Sequence, residues 1–256
     1  MTVGTLSSSA ARHTAPAVTL GRRYFHTAAA AVMLAVTIAG FCPYYLRGVG
    51  MGERTIDPTL TTLVLAHGGL ATLWFVLFLT QAALIPAGRR RVHMRLGWAA
   101  AAVAFGVAVS GSVLAVASAR LSPEMPFLGM AYGEFLMVML TEMAVFAALV
   151  GAGLWWRRKP ERHRAMMLLA SLSILAGATV RMPAFHPVFG QTGWVGLFGP
   201  IFALGVICIG TRGWLTARLD RWLTGGFVAL FAAYVLATTM AVTAGGRGLL
   251  RAIFGF

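Results

Sequence analysis

The sequence predicts an all-α polytopic transmembrane bundle of about seven spans with its N-terminus inside. Three observations carry that expectation. Charged residues make up 11% of the 256, against about 25% in an ordinary soluble domain. The apolar residues come in blocks of about 20 or more, the length needed to cross roughly 30 Å of hydrocarbon. The connectors between blocks alternate between strongly basic and nearly neutral, as the positive-inside rule requires.

The expected spans are 24–46, 59–87, 95–119, 127–156, 164–185, 193–212 and 222–244, in one domain over 24–246. A basic tail, 1–23, precedes them and a short tail, 247–256, follows. The first tail carries Arg12, Arg22 and Arg23. Arg89-Arg90-Arg91 and Arg95 lie between spans two and three. Arg157-Arg158-Lys159 and Arg162 lie between spans four and five, and Arg212, Arg218 and Arg221 between six and seven. The intervening connectors balance Arg47 and Arg54 against Glu53 and Asp57, balance Arg120 against Glu124, or carry no charge. Span five is the weakest, because it contains Arg181 and ends at Pro183, where proline stops or kinks a helix.

The net charge of +14 thus sits in short loops that orient the chain, with no basic stripe for nucleic acid. Arg22-Arg23-Tyr24-Phe25 has the look of a twin-arginine signal, but the apolar stretch after it is too long for one. Cys42 and Cys208 fall near opposite ends of their helices and are expected to be free.

Soluble-enzyme signatures are absent from the sequence, and ionisable residues within the spans take their place as candidates. At 1.5 Å per residue, His67, Glu134 and Arg181 come to a similar depth below the outer face. His186 lies just beyond Arg181, and Glu142 is deeper. His67, Trp74 and Gln81 form one stripe of span two; Met130, Glu134, Met137 and Thr141 form one of span four. Two readings stand side by side. In one, Glu134 and Arg181 form a structural ion pair with His67 hydrogen-bonded between helices. In the other, the layer is a metal, haem or proton-handling site, with His67, Glu134 and His186 as the metal ligands. Met130, Met137, Met139 and Met143 beside an imidazole suit copper, though methionine also serves as apolar filler. His26, His93 and His163 open spans one, three and five at the inner face beside arginines. They are read either as a haem or metal site or as binders of lipid headgroups.

An internal repeat accompanies these residues. Arg91-Val92-His93-Met94-Arg95-Leu96 and Glu161-Arg162-His163-Arg164-Ala165-Met166 each follow a long helix and open a span rich in small residues.

His67-Gly68, Thr72-Leu73-Trp74-Phe75, Gln81, Gly88-Arg89, His93, Leu96-Gly97, the string from Glu161 to Leu169 and Arg181-Met182-Pro183 together resemble a largely uncharacterised bacterial family of polytopic membrane proteins. That family is similar in outline to small histidine-containing proteins implicated in cytochrome oxidase assembly. The resemblance covers roughly 24–185 and implies that His67, His93, His163 and Arg181 belong together; it implies no reaction. The chain departs from the pattern at Arg164-Ala165-Met166, where Lys-Arg-Leu is expected. The resulting expectation is an inner-membrane accessory, assembly or cofactor-binding component of a membrane redox system. The alternatives are a transporter or proton pathway using His67, Glu134 and Glu142, and an intramembrane metalloenzyme. The expected partners are the lipid bilayer and other subunits of a redox complex.

Overall fold

The computed structural model describes residues 16–48 and 56–255; Arg12, Glu53 and Arg54 lie outside them. The chain is an all-α bundle. Its helices are α1 (Pro16–Arg47), α2 (Thr61–Leu84), α3 (Arg90–Leu121), α4 (Tyr132–Trp155), α5 (Pro160–Ser173), α6 (Ala176–Thr179), α7 (His186–Phe189), α8 (Gly193–Thr216), α9 (Arg221–Ala241) and α10 (Ala244–Phe254). Among the described residues six helices are long and apolar enough to cross a membrane, or seven if one sharply bent pair counts as a span. The chain is therefore a multi-pass membrane protein.

Several boundaries differ from the sequence expectation, each for a local reason. Helix α1 starts at Pro16, where a proline fits the first helical position, and its candidate membrane span starts at Val18, six residues before 24. Span four does not start at 127. Pro126–Phe127 and Met130–Ala131 form a small antiparallel hairpin, turned by Leu128 and Gly129, both at positive φ, the geometry of a tight two-residue connection. The last residues are helical rather than a tail. Thr243 caps α10 by accepting from the Gly246 N–H at 3.0 Å, and Leu250 is buried beside Ala115, Ala119 and Leu136.

The bent pair is the span the sequence left weakest. Pro160–Thr179 and Pro183–Phe189 meet at 96°, because Pro183 lacks an N–H and holds Met182 extended. The straight part is the most enclosed element: Ala165, Met166 and every residue from Leu168 to Ser173 are buried. Helices α4 and α9 flank it, with α1 and α8 beyond. Where α5 ends, the Tyr234 hydroxyl donates to the freed Ser173 carbonyl at 2.8 Å.

Lipid is as apolar as leucine, so helices here associate through close packing rather than through hydrophobic expulsion. Helix α3 shows the device plainly. It buries Ala100, Ala104, Val107, Gly111, Ala115 and Ala119 and turns Trp98 and Phe105 outward. Gly40 of α1 lies so close to α6 that a Cβ there would stand 2.3 Å from the Ala178 carbonyl oxygen.

The basic connectors converge on one end. Arg22 donates to the Leu215 carbonyl and Arg23 to that of Pro86 at 2.5 Å. Arg218 pairs with Glu161 at 3.2 Å, and Arg162 lies over the rings of Trp156 and Trp222. At the opposite end Asp57 precedes α2, where the hydroxyl and backbone N–H of Thr59 hold its carboxyl below the usual value.

Candidate functional site

Two polar regions occupy the bundle. The first lies among the helices toward the end away from the basic loops. His67 on α2 shares a hydrogen bond of 3.1 Å between its Nδ1 and the Ser110 hydroxyl of α3. It fits because residue 111 is glycine: a Cβ there would stand 2.8 Å from His67 Cε1 and 2.4 Å from Met143 Sδ. Arg181 follows α6 at the bend. It donates to the Gly177 carbonyl, and its guanidinium lies 4.9 Å from the centre of the Phe41 ring. Its field reaches Glu142, Tyr132 and His67. Glu142 of α4 is surrounded by protein yet keeps part of its surface accessible. Among the described residues no ion pair within 4.0 Å joins Glu142 to Arg181.

Glu134 does not join this group as expected. Since α4 begins at Tyr132 and not at 127, Glu134 falls in the first turn instead of about two turns in from the helix start. There one carboxylate oxygen accepts from the Ala131 N–H at 3.0 Å, and the other accepts from Arg247 Nε of α10 at 2.7 Å. The residue caps a helix and docks the C-terminal one, so the expected pair with Arg181 is replaced by a pair with Arg247. The two charges border a cleft of about 370 Å³ that also exposes Glu124 and Arg251.

His186 opens α7 beyond the bend. Among the described residues no three of His, Cys, Asp and Glu form a group able to hold a metal ion. The trio His67, Glu134 and His186 is therefore not assembled: the bend sets where His186 lies, and Arg247 engages Glu134. Both cysteines are free, with Cys208 buried.

The second region is at the basic end. The His93 and His163 rings lie with their centroids 6.2 Å apart and their planes at 89°. Each is fixed the same way. His93 Nδ1–H donates to the Gln81 carbonyl at 3.2 Å, and His163 Nδ1–H donates to the Gly153 carbonyl at 2.9 Å. A carbonyl only accepts, so in both rings the proton sits on Nδ1 and Nε2 is left for another partner. The acceptors lie twelve and ten residues back, near the ends of α2 and α4. The two histidines of the sequence repeat, one on α3 and one on α5, thus meet in the structure. Trp74 and Phe146, equivalent residues of α2 and α4, also meet, at 5.2 Å.

His26 of α1 completes the group. Its Nε2 is buried and has no hydrogen-bond partner among the described residues. The fields of His163, Arg164 and Arg212 reach it. Arg212 stands 3.9 Å from Asp220 and 5.7 Å from the Phe25 ring centre. The Gln81 side-chain oxygen is likewise buried without a partner.

Sequence reasoning missed Ser110, Tyr132 and the Glu134–Arg247 pair. Ser110 belongs to an unremarkable Ser-Gly-Ser stretch, and Arg247 lies in what reads as a tail. Gly111 offers the one available signal, a glycine in a helix interior where it costs about 1 kcal/mol unless something approaches closely.

No family model matches the chain, and no curated protein and no solved structure matches it.

Proposed function

We propose that the chain is a bacterial inner-membrane protein with a cytoplasmic N-terminus that holds a haem or transition-metal cofactor at its basic end. It serves a membrane redox system as an accessory or assembly component. The observation that carries the reading is the matched pair His93 and His163. Imidazoles that ligate metal almost always donate their other N–H to a carbonyl or carboxylate, which fixes tautomer and orientation, and both rings here have that anchor. The resemblance to a largely uncharacterised polytopic family, itself similar in outline to small proteins implicated in cytochrome oxidase assembly, supports the same reading. Metal analysis and an optical spectrum on purified protein test it: stoichiometric metal or a Soret band is expected, and a colourless, metal-free protein that takes up neither overturns it. Reporter fusions at the two ends test the orientation and are expected to report opposite sides.

A second reading has an observation of its own. Glu142 and Arg181 share a partly accessible region without forming an ion pair within reach of His67, an arrangement suited to passing protons. Proton flux into liposomes containing the protein, lost in Glu142→Gln, distinguishes it from the first.

A further inference from the structure

We infer that the turn joining α2 to α3 is a binding site for an anionic phospholipid, with its phosphate among Arg89, Arg90 and Arg91 and its acyl chains along the exposed face of α3. The inference is independent of the cofactor reading.

The turn is built before anything binds to it. Helix α2 closes with the Gly88 N–H on the Ile85 carbonyl at 3.0 Å and the Arg89 N–H on the Leu84 carbonyl at 2.9 Å, the paired bonds of a glycine-terminated helix. Gly88 supplies the positive φ that this closure needs. Arg23 of α1 donates to the Pro86 carbonyl at 2.5 Å, so a fourth guanidinium is fixed at the same turn. Gly88, the three arginines, Val92 and Met94 line a cleft of about 760 Å³, within the roughly 300–1,000 Å³ of small-molecule sites.

No acid answers this charge among the described residues. Helix α3 has none in its first turn. The carboxylates at this end are engaged on other connectors, Glu161 by Arg218 at 3.2 Å and Asp220 beside Arg212 at 3.9 Å. Among the described residues no ion pair involves Arg89, Arg90 or Arg91. A guanidinium matches a phosphate through two parallel N–H···O bonds, and clustered arginines at the end of a membrane helix attract anionic headgroups.

The apolar side of the cleft decides between a lipid and a free anion. Met94, Trp98 and Phe105 are all exposed, and their spacing of four and then seven residues sets them on one face of α3. The opposite face buries Ala100, Ala104 and Val107. From Met94 to Phe105 is about 17 Å, roughly half of the 30 Å hydrocarbon core, which is the depth that one leaflet's chains occupy. Trp98 takes the position where tryptophans gather, at the boundary between headgroups and chains. A phosphate ion would use the arginines and leave this stripe idle, whereas a phospholipid uses both.

The test places the full chain in phosphatidylcholine vesicles and adds brominated lipid, which quenches the tryptophans it touches. The share due to Trp98 is the difference from Trp98→Phe. Brominated phosphatidylglycerol should quench that share with at least about fivefold greater affinity than brominated phosphatidylcholine, the worth of one arginine at an anionic surface. The triple variant Arg89→Gln, Arg90→Gln, Arg91→Gln should bring the two affinities together. Arg157→Gln with Arg158→Gln, on the connector between α4 and α5, should leave the preference intact, which separates a site from net charge. Equal quenching by the two lipids in the unaltered chain overturns the proposal, and that comparison needs no variant to fold. A preference that survives the triple variant, or that is lost equally with Arg157 and Arg158 replaced, overturns the placement. Loss of the preference in millimolar inorganic phosphate at constant ionic strength overturns the lipid as occupant and assigns the arginines to the free ion.

Discussion

The two polar regions treat buried polarity in different ways. At the basic end, two imidazoles are tied to backbone carbonyls of the preceding helices, and the charges that reach the neighbouring His26 are of one sign. Farther along the bundle, Arg181 and Glu142 lie near one another without an ion pair, and the arginine is held by a backbone oxygen and an aromatic face. The first arrangement leaves identical atoms, the Nε2 nitrogens, without a backbone partner. The second leaves an arginine and a carboxyl side by side without an ion pair within 4.0 Å among the described residues. On the proposed function the two do different work: the basic end would hold a ligand, while the inner pair keeps a costly charge tolerable within the membrane.

Glycine substitutions break that comparison most sharply. At Gly40 an added methyl meets backbone, the Ala178 carbonyl, which cannot rotate away. We expect Gly40→Ala to cost about 3 kcal/mol, the upper range for overpacking, and to displace Phe41 from Arg181. At Gly153, beside the histidine pair, an added methyl meets the terminal carbon of Met167 at 2.5 Å. That flexible side chain moves, so Gly153→Ala should cost less than about 1 kcal/mol. Thermal unfolding of the two variants in one detergent compares them directly; equal losses would mean that the α1–α6 contact is not the constraint it looks to be.

The charged pair ranks next. A carboxyl left alone can take up a proton and become neutral, whereas a guanidinium cannot. Glu142→Leu, which strands Arg181, should therefore cost about 2–3 kcal/mol, near the lenient figure for a charge at mid-membrane. Arg181→Leu should cost about 1 kcal/mol, since it strands only a group that can neutralise itself. The double variant should recover part of the loss, and a double-mutant cycle measures the coupling. Strict additivity would show that the two groups act separately.

His163→Ala comes third in stability and first in function. It removes one hydrogen bond to the Gly153 carbonyl and should cost about 1 kcal/mol, while weakening uptake of the proposed cofactor by about 10–100-fold. A stability loss as large as that of Glu142→Leu would recast the histidine as a packing element.

How much of this was legible in the sequence follows from what each signal measures. Hydropathy reports contact with lipid. It marked α3, which presents Trp98 and Phe105 outward, without difficulty. Arg181 and Pro183 made 164–185 the weakest span, although most of α5 is buried, because a helix lined by other helices need not be uniformly apolar. Arg181 and Pro183 warned of a break there, and the break is a 96° bend. The repeat around His93 and His163 was readable as text and became a contact between equivalent residues. Depth arithmetic failed for Glu134 because it depends on where a helix begins, and the Leu128-Gly129 turn moved that start from 127 to 132. The partner of Glu134 was invisible for a related reason: α10 has the composition of a tail and becomes a helix only by laying Leu250 against α3 and α4.

The smallest expected effect belongs to that last contact. Arg247 and Glu134 meet at 2.7 Å, but the arginine side chain is 56% exposed and the glutamate 17%. Solvent screens such a pair, and holding two long side chains in one geometry costs entropy. Arg247→Ala should therefore change stability by about 0–1 kcal/mol, and the change should shrink as salt is added. Glu134→Ala should cost more than Arg247→Ala, because the same carboxylate also accepts from the Ala131 N–H and caps α4, a contribution of about 1 kcal/mol that salt barely touches. Measuring both variants at low and high ionic strength separates the two roles. If the Arg247→Ala loss persists at high salt, α10 is held by more than a surface charge. Leu250→Ala then becomes the informative variant, since Leu250 is the residue that α10 buries against Ala115, Ala119 and Leu136.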